Sequence, residues 1–78
     1  MQAYKNLSGD SGVTHYELHP ASLTLRFRNG DTYLYDQQHP GPRHVARMQT
    51  LARRGQGLAT YISRYVRDNY AAKVRETA

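Results

Sequence analysis

Residues 28–36 read RNGDTYLYD, an Asn29-Gly30 turn signal followed by two tyrosines one residue apart. The direction in which Tyr33 and Tyr35 face decides how the first half of the chain folds. Just upstream, LTLRFR (23–28) alternates apolar and polar residues with period two. That places Leu23, Leu25 and Phe27 on one face of a strand and Thr24, Arg26 and Arg28 on the other. If Asn29-Gly30 makes a two-residue turn, Leu25 lies opposite Leu34, and the tyrosines join Arg26 and Arg28 on the open face as a stacking platform. If Arg28, Asn29 and Gly30 instead form a three-residue loop with Gly30 left-handed, Leu25 pairs with Tyr33 and Leu23 with Tyr35. Both rings then turn inward and Leu34 outward. Asn-Gly is the strongest signal for the shorter turn, which also sets Arg28 opposite Asp31, but propensity does not choose between the two.

Working outward, VTHYELH (13–19) reads as a strand and HPAS (19–22) as a turn, so residues 13–36 form a three-stranded antiparallel meander. QQHPGPRH (37–44) ends it, because two prolines around a glycine do not stay in a sheet, and Pro42 suits the first turn of a helix. Val45, Met48, Leu51 and Ala52 then recur at spacings of three and four as an apolar stripe, with Arg43, Arg47 and Arg54 on the opposite side. Gly55 is a natural stop. A second periodic run puts Leu58, Tyr61, Ile62, Tyr65 and Asn69 on one side of another helix. The expected fold is therefore α+β, a three-stranded meander with two C-terminal helices packed on one sheet face. Residues 1–12 read as a flexible N-terminal arm, 13–72 as the domain and 73–78 as a frayed tail.

With 78 residues the chain is one domain at most and buries only about 60% of its unfolded surface. It has no cysteine, hence neither a disulfide framework nor a thiolate metal site. It also lacks an apolar leader and any run near the roughly 18 to 20 apolar residues of a membrane span. The expectation is a cytoplasmic protein. Eleven Lys and Arg against six acidic residues give a net charge of +5, and most of those cations are arginine, whose planar fork matches phosphate oxygens in pairs.

That balance points to a polyanion, and RRGQG (53–57) is the first place to seat one. Arg53, Arg54, Gly55 and Gly57 sit between two helices, where small residues let backbone N–H groups approach a phosphate. The same Gly55 also suits a left-handed helix stop. Arg64 and Arg67 flank that loop, Arg43 and Arg47 make a second basic turn, and Arg26 and Arg28 make a third patch on the sheet. Four to six phosphate contacts on a single strand imply a salt slope of roughly −3 to −4. His15 and His19 share a strand face with Glu17 between them, better placed for a local hydrogen bond than for a metal. No nucleophile spaced to a histidine, no close carboxylate pair and no cofactor fingerprint is present, so the expectation is no enzyme, no cofactor and no metal.

The order Leu23, Leu25, Phe27, then Asn29-Gly30, then Tyr33-Leu34-Tyr35, then a helix, a basic glycine loop and Val66-Arg67 with Tyr70 resembles the KTSC domain. This is a short module found at the C-terminus of some lysyl-tRNA synthetases and as stand-alone bacterial proteins. The resemblance covers roughly Val13 to Tyr70 and rests on the Tyr-x-Tyr after the alternating strand. Two stretches depart from it: the segment between Gly55 and Val66 is longer than usual, and QQHPGPRH replaces a Val-Pro entry to the first helix. Relatives often carry a charged residue between the tyrosines, which implies that Tyr33 and Tyr35 point inward. The resemblance also implies an RNA-related role, leading to the reading of a small RNA-binding, tRNA-related accessory module of low sequence specificity. The alternative is a protein-interaction domain that holds an acidic protein partner on the open sheet face or an edge strand.

Overall fold

The structure, a computed structural model, describes residues 1–7, 9 and 11–74. Its hairpin takes the three-residue loop: Leu23 pairs with Tyr35, Leu25 with Tyr33 and Arg26 with Thr32. The Gly30 N–H donates to the Phe27 carbonyl, the Phe27 N–H to the Asp31 carbonyl, and Gly30 has φ 93. The Asn29 side chain accepts the Asp31 N–H at 3.0 Å. An Asn-Gly pair thus serves the longer loop, because that register turns two aromatic rings towards the core, Tyr35 buried and Tyr33 half-buried, where the shorter one turns in a single leucine.

The α+β fold contains more strands than the meander. In order along an antiparallel sheet lie β1 (Gln2–Ala3), β2 (Val13–His19), β3 (Ser22–Phe27), β4 (Thr32–Tyr35) and β5 (Ala72–Val74). Helix α1 spans Pro42–Arg54, and α2 (Leu58–Tyr61) continues directly as a π-helical turn over Ile62–Val66. Each end of the sheet is a strand of two or three residues, too short to carry a hydrophobic alternation, which is why pattern reading passes over both. Short edges of this kind also resist pairing with other chains.

The start of the expected flexible arm is accordingly part of the fold. Gln2 and Ala3 pair with Tyr16 and His15, the Tyr4 N–H donates to the Thr14 carbonyl, and Tyr4 is buried in the core. The tail differs as well. Lys73 and Val74 pair with Tyr33 and Thr32 as part of β5, while 75–78 of the expected frayed tail lie outside the described residues. Lys73 holds this edge: its ammonium sits 3.4 Å from an Asp31 carboxylate oxygen and 5.3 Å from the Tyr33 ring centre. The Tyr33 hydroxyl first, and then Asp31, raise its pKa above the ordinary lysine value.

Strand β2 departs from strict alternation at one point. Val13 faces Phe27 and His15 faces Arg26, leaving Thr14 as an extra residue in a bulge. The bulge lets Val13 and Tyr16 both enter the core while His15, Glu17 and His19 turn outward.

The apolar stripe of α1 is the expected one, with Val45, Met48, Leu51 and Ala52 all buried. Pro42 opens the helix and Gly55 closes it in the left-handed region (φ 80), its N–H donating to the Leu51 carbonyl. These side chains meet Leu23, Leu25 and Tyr35 from the sheet, together with Tyr4, Leu58, Ile62 and Val66, in one apolar cluster. The second helical run corrects the sequence reading. Val66 is buried, whereas Tyr65 is 60% exposed and Asn69 lies on the surface. The Arg67 N–H reaches the carbonyl of Ile62, five residues back, and this wider turn rotates Tyr65 out and keeps Val66 in.

Tyr35 is 1% exposed. Burial, followed by the neighbouring Tyr33 and Tyr70 phenols, pushes its pKa above the ordinary tyrosine value. The unfolded chain releases this proton near the ordinary value of about 10, while the folded protein retains it. Its contribution to stability is therefore complete below about pH 10 and is lost as pH rises towards the folded pKa. Urea midpoints measured between about pH 9 and 11.5 are expected to fall less steeply for Tyr35→Phe than for the natural protein. An identical decline in both proteins would mean that burial and the neighbouring phenols do not hold the Tyr35 proton.

Candidate nucleic-acid interface

Between Gln37 and Arg67 the chain contains six arginines and no aspartate or glutamate. The described carboxylates belong to the sheet and the turns around it, and three of them have partners of their own. Glu17 lies 3.0 Å from His19 Nε2 and 3.9 Å from the N-terminal amine, in keeping with the local hydrogen bond expected for it. Asp31 holds Lys73. Asp36 accepts the N–H groups of His39 (2.9 Å) and Gln38 (3.0 Å), which keep its carboxyl below the usual range. Among the described residues Arg43, Arg47, Arg53, Arg54, Arg64 and Arg67 are all exposed, and none of them is in a salt bridge.

The helices set how these cations are grouped. A rotation of about 100° per residue puts Arg43, Arg47 and Arg54 on the solvent side of α1, with His44 beside Arg47 and Arg53 on the opposite flank. The first turn of α1 carries no acid, so its positive end adds to the field. The second helical run returns alongside α1, since the Tyr61 hydroxyl lies 2.7 Å from His44 Nδ1. From there an aromatic row continues: the His44 and Tyr61 ring centres are 5.8 Å apart and those of Tyr61 and Tyr65 5.0 Å. The helical layer therefore combines Arg43 and Arg47 on one helix with Arg64 on the other, and a tilted aromatic row joins the two helices. At helical spacing Tyr61 and Tyr65 read as core or core edge, which holds for half-buried Tyr61 and not for Tyr65, 60% exposed. Their i, i+4 spacing between arginines was the available signal, but the π-helical turn that exposes Tyr65 has no counterpart in the pattern.

The glycine loop does not form an open cradle. The Gly55 N–H is bonded to Leu51, and its carbonyl accepts the Leu7 N–H at 2.8 Å. A β-carbon at Gly55 would come within 2.6 Å of Lys5 Cβ, so the N-terminal segment covers this residue. Gly57 is left-handed at φ 85 and accepts the Tyr61 N–H, while the Leu58 N–H donates to the Tyr4 hydroxyl at 3.3 Å. Of the N–H groups that a phosphate would need, that of Gly55 is thus engaged by Leu51 within α1 and that of Leu58 by Tyr4, from the segment that the sequence reading left loose. Arg53 and Arg54 remain exposed at the end of α1.

The sheet patch is divided. Arg26 lies on the outer face opposite His15 and Thr32, whereas the Arg28 guanidinium donates to the Ser11 carbonyl at 3.2 Å beside the hairpin loop. With Tyr33 and Tyr35 turned inward, neither arginine has the tyrosine platform that the shorter turn would have supplied. His15 bonds Thr14 at 3.0 Å, and among the described residues no three His, Asp or Glu side chains are placed to hold a metal ion. No helix among the described residues is long and apolar enough to cross a membrane. No protein-family model matches the chain, and no curated protein or solved structure matches it either.

Proposed function

We propose that this protein is a non-catalytic module that binds single-stranded RNA on its helical layer with little sequence discrimination, in the cytoplasm and in a tRNA-related setting of the kind the KTSC resemblance implies. The observation that carries the reading is the set of six exposed guanidinium groups, none in a salt bridge among the described residues, on a segment with no carboxylate. Arg43, Arg47 and Arg64 take phosphates beside the aromatic row, and Arg53, Arg54 and Arg67 extend the track. Tyr65 offers an exposed ring on which a base stacks, a contact worth about 1 to 3 kcal/mol. Arg26 and Arg28 lie off this track.

The test is a salt titration of a fluorescein-labelled single-stranded RNA, a tRNA and a duplex DNA, followed by anisotropy. The expected result is binding at low salt with a log–log slope of roughly −3 to −4 for single strands. Absence of binding to all three at low salt would end this reading. The other candidate, an acidic protein partner on the outer sheet face, finds support in half-buried Leu34 and in Val74, which is 64% exposed on that face. Leu34→Asp would abolish such an association and leave RNA binding intact.

A further inference from the structure

A pocket of about 290 Å³ opens between the β3–β4 hairpin and the end of the second helical run. Its walls are Phe27, Tyr33, Tyr35, Tyr70 and Ile62, and its rim is Arg67, Asp68 and Asn29. The volume lies near the low end of the range for ligand sites, so it suits one planar ring system rather than an extended chain. Tyr33 meets Phe27 and Tyr70 edge to face, at 5.1 and 4.8 Å between ring centres. These rings brace one another and leave the space bounded by aromatic surface.

Two further observations show that this space is more than a packing gap. Tyr35 is buried to 1% exposure, yet its hydroxyl has no hydrogen-bond partner among the described residues. Every fully enclosed side-chain polar atom among those residues does have a partner, so the Tyr35 hydroxyl must be reachable, and the pocket it lines is the route. The second observation is at the rim. Arg67 has φ 53 and ψ −122, and the Asn69 N–H closes a turn onto the Val66 carbonyl at 3.0 Å. Those angles belong to the first central position of a type II′ turn, which glycine ordinarily occupies. An arginine held there directly after the helical layer keeps a cation at the pocket mouth despite backbone strain, and strained residues cluster at ligand sites. Asp68 adds a carboxylate that is in no salt bridge among the described residues.

The geometry points to a seat for one unpaired base of the RNA strand whose phosphates follow the helical arginines, an inference that rests on the RNA-binding reading above. Arg67 meets the phosphate of that nucleotide, the aromatic walls take the ring, Asp68 accepts base N–H donors and the Tyr35 hydroxyl donates to a base carbonyl. Guanine fits this set best, because N1–H and the exocyclic amine present two parallel donors to one carboxylate and O6 supplies the adjacent acceptor.

The experiment uses the full chain and single-stranded RNA oligomers that are abasic throughout except for one G, A, C or U, read against a fully abasic oligomer by anisotropy. The oligomer bearing G is expected to bind about tenfold or more tightly than the abasic one, the discrimination that a bidentate base contact supplies. That ratio should collapse towards one in both Tyr35→Phe and Asp68→Asn, near-isosteric changes that preserve the walls, while both variants still bind the abasic oligomer. Equal binding of the G and abasic oligomers, or a ratio kept in both variants, overturns the base seat and leaves the phosphate track standing. Another base binding as tightly as G overturns the guanine assignment. Loss of all oligomer binding at low salt overturns the RNA reading and this inference together.

Discussion

Truncating Tyr35 to alanine is expected to unfold much of the protein at room temperature, while the same truncation at the adjacent Leu34 leaves it folded. Tyr35 is 1% exposed and sits opposite Leu23, which is fully buried, so its loss removes a large ring from the centre of the molecule. Replacing a buried aromatic by alanine costs about 3 to 5 kcal/mol. At roughly 0.05 to 0.15 kcal/mol per residue, a chain of this size has a total stability of only about 4 to 12 kcal/mol, and a small core lies near the bottom of that range. Leu34 lies on the outer face opposite Thr24 and Ala72 and is half-buried. Its truncation should cost about 1 kcal/mol or less. Equilibrium urea denaturation of both variants measures the pair. A larger loss at Leu34 than at Tyr35 would mean that the hairpin takes the two-residue turn, since a slip of one residue exchanges the two faces of β4.

Reversing Arg43 and Arg47 together to glutamate should weaken single-stranded RNA binding on the order of 25-fold at about 0.1 M salt. Each phosphate contact on a single strand contributes about 0.7 to the log–log salt slope, hence about 0.7 log units of affinity at 0.1 M relative to 1 M. Two contacts give about 1.4 log units, with the slope shallower by the same amount. Neither arginine is buried or in a salt bridge among the described residues, so the thermal midpoint should barely move. Arg28→Glu is the control, because its guanidinium serves the Ser11 carbonyl away from the helical layer. If the control lost as much affinity as the double variant, the interface would lie on the hairpin side of the molecule.

The candidate site was legible in its charges and not in its surfaces. Six arginines without an intervening acid can be counted from residues 37–67, and the helical period already separates Arg43, Arg47 and Arg54 from the apolar stripe. The row of His44, Tyr61 and Tyr65 showed in the sequence only as the spacing of its two tyrosines. It depends on one helical run returning against another and on a π-helical turn in which Val66, rather than Tyr65, takes the inward place. The glycine loop shows the opposite error. Its spacing suits a phosphate, but Lys5, Leu7 and Tyr4 come from fifty residues away to cover it, and no local pattern records that approach.

By itself the sequence determined the α+β class, the three central strands, the first helix with its stripe and its glycine stop, and the excess of arginine. These are local properties, since period, turn chemistry and charge act over a few residues along the chain. The tertiary structure alone decided the hairpin register, the two short edge strands, the engagement of Gly55 and the aromatic pocket beneath Arg67. Each of these turns on which distant surfaces bury the most apolar area together, and that competition is settled only when the whole chain has closed around one core.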